Sequence, residues 1–217
     1  MKKIILLVIC IMSFSIMAMA DDWYYSMKLI NVEVSNGNKG EFSAEKTRFG
    51  IDFGHYKDDA IEISITIHPN HVSFDLTNNT ASQIKIIWDD AVFSGFDNSS
   101  IGVFHYGTKF AKREETQVPS TILKGTKLSD VIVPKNMINF NRPLKGSGWW
   151  EIRSFLTGTK KVNSRTIKLL LPIEIGGEKV DYIFTFEALA EVVKNVKTKT
   201  ANDGRLYYRE VIRYSKN

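Results

Sequence analysis

Apolar and polar residues alternate most strictly between Ile61 and Leu76. Ile61, Ile63, Ile65 and Ile67 are separated by Glu62, Ser64 and Thr66. After a His-Pro-Asn-His turn, Val72, Phe74 and Leu76 are separated by Ser73 and Asp75. Successive side chains of a strand point to opposite faces, so each apolar row makes one buried face and the pair predicts a β-hairpin. Ile84, Ile86 and Trp88 continue as an inward row against Lys85 and Asp89. Ile87 breaks that alternation, as in a strand covered on both faces over part of its length.

The rest of the chain carries the same signal. Residues 21–34 are aromatic and then β-like, and residues 47–56 predict a strand whose glycines mark bulges or a close backbone approach. Residues 94–102 read as loop and 103–110 as a short strand. Val118 to Ile122 leads through the turn Lys124-Gly125-Thr126 to Leu128, Val131 and Val133, ending at Pro134. Residues 139–166 predict an irregular excursion. Residues 167–175 and 180–186 flank Gly176-Gly177-Glu178-Lys179 and predict a second hairpin. Ala188 to Val193 predicts the start of a short helix, and Asn202-Asp203-Gly204 the turn of a terminal hairpin. Asn78-Asn79-Thr80 matches a glycosylation acceptor but reads as turn chemistry. The expected architecture is an all-β, immunoglobulin-like antiparallel β-sandwich of about seven to nine strands over residues 21–187. An irregular insertion interrupts it, and residues 188–217 form a C-terminal hairpin or tail.

The first twenty residues change the address. Lys2 and Lys3 precede an apolar run from Ile4 to Met17, and Ala18-Met19-Ala20 follows as a small-x-small site, the layout of a signal peptide. Cleavage there makes the protein exported, periplasmic or secreted, and argues against membrane anchoring, although outer-membrane association stays open. Cys10 is the only cysteine and lies inside that segment, so the mature chain has neither disulfide nor thiol chemistry. Losing Lys2 and Lys3 lowers the net charge from +5 to +3, too near neutral for a nucleic-acid binder.

Several segments, taken in order, resemble a family of uncharacterised bacterial secreted proteins and lipoproteins. They are SFDLTNNT at 73–80, IKIIWDDAVF at 84–93, VFHYGTKF at 103–110, QVPSTILKGTKLSDVIVP at 117–134 and Gly148-Trp149. The resemblance covers roughly residues 47–186. The Gly125-to-Pro134 edge is also similar to late-embryogenesis-abundant type sandwiches. The resemblance implies the fold and the compartment but no activity. This chain departs from members that carry a cysteine placed for lipidation.

Candidate chemistry is sparse. His68 and His71 could share a metal, but a structural site needs about four ligands and no partner cluster accompanies them. Asp89 and Asp90 with His105 could do acid–base work, yet neighbouring strand residues point to opposite faces. Trp149 and Trp150 stand beside glycines, where they would stack on sugars, anchor a partner, or cover an open end of the sandwich. Trp23, Tyr24 and Tyr25 would be either contacts or packing on the first strand. No nucleophile elbow, phosphate loop or HExxH pair is present. The expectation is a non-enzymatic envelope protein, without catalytic residues, metal or cofactor. It would bind another protein, or a glycan through exposed aromatics.

Overall fold

A computed structural model describes residues 23–46, 52–68, 70–112, 114–145, 147–153, 165–192, 199–200 and 206–207. The leader expected at 1–20 lies outside them. The described chain is all-β, dominated by one twelve-stranded antiparallel sheet that curls around a single core and nearly closes into a barrel. Its strands in chain order are β1 (Trp23–Val34), β2 (Glu41–Lys46), β3 (Asp52–Lys57), β4 (Ile61–Ile67), β5 (Val72–Asn78) and β6 (Ile84–Ile86). There follow β7 (Val92–Ser94), β8 (Ser100–His105), β9 (Ser120–Ile122), β10 (Lys127–Pro134), β13 (Thr166–Ile175) and β14 (Glu178–Val192). Two small ribbons lie apart from the sheet: β11 (Ile138–Asn141) with β12 (Trp149–Ile152), and β15 (Lys199–Thr200) with β16 (Leu206–Tyr207).

The sheet has two layers. One runs β1-β14-β13 and continues into β6 and β7, while the other runs β10-β5-β4-β3-β2. Strand β8 belongs to both, pairing through Ser100 to Gly102 with β7 and through Val103 to His105 with β10. At the opposite side β1 returns to β3. A Cβ on Gly54 would lie 2.7 Å from Leu29 Cβ, so glycine is what lets the two backbones approach.

Period-two patterning builds the core. Strands β4 and β5 bury every second residue, and Ile61, Ile63, Ile65, Val72 and Leu76 meet Leu169, Leu171, Phe184 and Phe186 from the facing layer. The turn of the β13–β14 hairpin holds Gly176 and Gly177 at φ of 62° and 88°, a left-handed pair suited to a two-residue hairpin loop. Asn78 is the buried polar hub of the next turn. Its amide donates to the carbonyls of Ser82 (2.7 Å) and Ile122 (3.0 Å) and accepts from Thr80. Turn chemistry is therefore the reading that holds for that triplet.

A break in one strand sets up the site. Strands β6 and β7 both pair with β13, and a single 3-10 turn, Trp88–Asp90, separates them. Pro172 of β13 faces this break, where no neighbour needs its missing N–H, and its carbonyl accepts from Ile87 N at 3.0 Å. The turn drives Trp88 fully into the core.

The structure corrects several expectations. Residues 188–192 continue β14 instead of starting a helix, because each is paired with β1, from Ala188 with Met27 to Val192 with Trp23. Residues 94–102 are partly strand, and the strand expected over 103–110 ends at His105, with Phe110–Lys112 forming a 3-10 turn. The excursion after 138 contains the β11–β12 ribbon. The short β2 was not anticipated.

Candidate functional site

Alternation that buries one row of β4 and β5 presents the other row outward. Cross-strand register brings Ser64 beside Asp75 and Asp75 beside Ser129, and Thr66 beside Ser73 and Ser73 beside Val131. Together these make an open groove of about 450 Å³ across β4, β5 and β10. Phe53 and Tyr106 contribute aromatic surface to its lining, and Tyr106 is 80% exposed.

Hydrogen bonds fix these side chains. Ser129 donates its hydroxyl to Asp75 Oδ1, while Lys127 Nζ reaches Asp75 Oδ2 at 3.2 Å. The Ser129 hydrogen bond, assisted by Lys127, holds the Asp75 carboxyl below the usual carboxylate range. Ser64 lies 3.1 Å from His55 Nδ1, and Ser73 lies 3.0 Å from His68 Nε2. His68 stacks on His71, with ring centroids 4.2 Å apart. Burial, reinforced by the neighbouring imidazole, lowers the His68 pKa to about 4, and burial lowers that of His71.

At one end of the groove stands a pair that sequence spacing did not bring together. His105 Nδ1 is 3.0 Å from Asp130 Oδ2, and Asp130 Oδ1 accepts from the backbone N–H of Val131 (2.7 Å) and Tyr106 (3.2 Å). Trp88 lies beneath the imidazole and donates its indole N–H to Ser120 Oγ at 2.9 Å. Asp130 thus orients His105 and the chain that carries Tyr106. Register could have suggested the pair, since His105 opposes Ile132 across β8 and β10. Both residues lie twenty-five apart in sequence, which hid it.

Asp89 and Asp90 do not join them. Asp89 accepts from the backbone N–H of Gln117 at 3.0 Å, and Asp90 pairs with Lys179 at 3.0 Å. Among the described residues no hydroxyl hydrogen-bonds to Nε2 of His105, and no three His, Cys, Asp or Glu side chains are placed to hold a metal.

The two tryptophans part company. Trp150 turns toward the body, 4.9 Å from Phe140 and 5.9 Å from Phe110, whereas Trp149 is 54% exposed on the other face of the ribbon. They form no common platform, because adjacent strand residues face opposite ways. The backbones of Trp23, Tyr24 and Tyr25 pair with Val192, Glu191 and Ala190, and their side chains lie outside the described residues. No helix among the described residues is long and apolar enough to cross a membrane.

No family model, curated protein or solved structure matches this chain.

Proposed function

We propose that this chain is an exported, non-enzymatic binding module of the cell envelope, and that the β4-β5-β10 groove binds carbohydrate. The observation that carries the reading is the groove's composition. Fixed hydroxyls of Ser64, Ser73 and Ser129 and the Asp75 carboxylate lie beside the exposed ring of Tyr106. Hydroxyls and carboxylates exchange hydrogen bonds with sugar hydroxyls, and an aromatic ring offers its face to the apolar side of a pyranose. The leader layout supports export, and the resemblance to bacterial secreted proteins agrees with that compartment. Two layers around one core, joined at β8, support an immunoglobulin-like sandwich as the finer reading of the fold.

Affinity electrophoresis through gels containing envelope polysaccharides tests the groove. Retardation that Tyr106→Ala weakens about tenfold, with circular dichroism unchanged, is the expected result. Migration unaffected by every polysaccharide would remove carbohydrate as the ligand.

A protein partner is the second reading, favoured by β9. Among the described residues this short strand pairs only with β6, and exposed Val118 and Leu123 flank it. Such an edge accepts an added strand. A photocrosslinker at Thr121 would capture one specific envelope protein on this reading, and nothing otherwise.

A further inference from the structure

We infer that the tip of the β11–β12 ribbon, formed by Arg142, Pro143, Leu144, Lys145 and Trp149, is a contact surface for an anionic lipid bilayer. The ribbon stands on an apolar cluster of its own. Phe104, Val133 and Ile138 are buried there, with Phe110, Met137, Trp150 and Ile152 packed against them. That footing holds the ribbon's base against the body. Beyond the last pair, Asn141 with Trp149, the chain turns through Arg142, Pro143, Leu144 and Lys145.

Leu144 is fully exposed at this turn, and Trp149 is 54% exposed. A soluble surface rarely gathers large apolar side chains in one place without a partner for them. Arg142 and Lys145 flank Leu144, both exposed, and neither makes an ion pair among the described residues. Glu151 is the one carboxylate in the sequence from 138 to 153, and it accepts from the Asn141 amide at 2.7 Å. The tip is therefore an apolar knob between two cations that have no ion-pair partner among the described residues.

That combination fits a bilayer surface. Leucine enters the acyl boundary, the amphipathic indole sits at headgroup level, and the cations meet lipid phosphates. Charge decides the occupant: two exposed cations beside an apolar knob ask for a dense negative surface, which anionic headgroups supply without a fixed geometry. This surface is separate from the groove and does not rest on the carbohydrate reading.

The test is vesicle flotation of the exported chain, with leader removal verified by mass. One set of vesicles holds equal parts phosphatidylglycerol and phosphatidylcholine, the other phosphatidylcholine alone. The chain should float with the anionic set, and Trp149 emission should shift to the blue. Arg142→Gln with Lys145→Gln should lower the partition coefficient roughly twenty-five-fold at low salt, from about fivefold per cation. Leu144→Ser with Trp149→Ser should reduce flotation and abolish the blue shift. All four side chains face solvent, so the variants should keep the wild-type circular dichroism. Failure of the wild type to float, equal flotation with neutral vesicles, or indifference to both double variants would overturn the inference. A wild-type dimer that Leu144→Ser dissolves would overturn it too, by assigning the tip to a second copy.

Discussion

The imidazole of His105 lies flat on the indole of Trp88, with ring centroids 4.4 Å apart and planes within 6°. Trp88 is in turn 6.2 Å from Phe74, so the core continues through the stack to the end of the groove. Asp130 holds the upper ring and the adjoining backbone. Asp130→Ala takes the carboxylate from His105 and from the Val131 N–H, while the Tyr106 N–H keeps the Val131 carbonyl at 2.8 Å, and should cost about 2–3 kcal/mol. Urea unfolding followed by tryptophan emission reads this loss. An unchanged midpoint would mean that the pair contributes nothing to the fold.

Asn78 should be equally sensitive. Its side chain is fully buried, and Asn78→Ala takes the amide from the Ile122 carbonyl and the amide oxygen from the Thr80 N–H, while the Ser82 carbonyl keeps the Thr80 hydroxyl at 2.7 Å. A loss of about 2–4 kcal/mol is expected in denaturant unfolding. Asn78→Asp keeps the acceptor and removes the donors, so it should fall no less far than the interior carbonyls demand. A variant as stable as wild type would refute the hub.

Tyr56 and Tyr182 come from opposite layers and donate to one oxygen, Asp58 Oδ2, at 3.0 and 3.1 Å. Burial, with the Asp58 charge adding to it, raises both phenol pKa values. Above a pH of about 10 the unfolded chain releases phenolic protons that the folded chain keeps, so stability should fall as pH rises further. Tyr182→Phe should make the alkaline slope shallower by one proton's worth while lowering stability at neutral pH by about 1 kcal/mol. Stability curves with identical slopes would exclude the linkage.

The stacked His68 and His71 predict the opposite limb. Below the ordinary value near 6.5 an unfolded chain takes up protons, whereas folded His68 resists until about 4. The stabilisation is present above 6.5 and is lost as pH falls through this window. His68→Gln should flatten that acid limb. A proton NMR titration of His68 centred near its ordinary value would contradict the account.

How far the sequence discloses this molecule depends on whether the signal is local. The β4–β5 hairpin is readable because one face is buried and period two fixes its register, and β13–β14 because Gly176-Gly177 specifies a left-handed turn. The expectation of a close approach at the glycines of 47–56 holds for Gly54, against Leu29. Ala188 to Val192 misleads because local helix propensity yields to ladder bonds with β1. Strand β2 is short: its alternation is confined to Phe42 and Ala44 between Glu41, Ser43 and Glu45, and Phe42 stays exposed, so no buried row marks it. The groove is hidden for another reason: its hydroxyls read as ordinary solvent-facing positions, and only register across three strands shows that they share one surface. The pairing of His105 with Asp130 is likewise a property of the sheet.

Among the described residues, strand β1 pairs with β14 alone, with Trp23 opposite Val192. The first strand to be synthesised must therefore wait for the last strand of the sheet. Contacts so distant in sequence form late, after a large loss of loop entropy. Until β14 emerges, the nascent chain can neither complete the sheet nor lock Tyr182 onto Asp58. A polypeptide that cannot finish folding early remains threadable for longer, as the export proposed above would require.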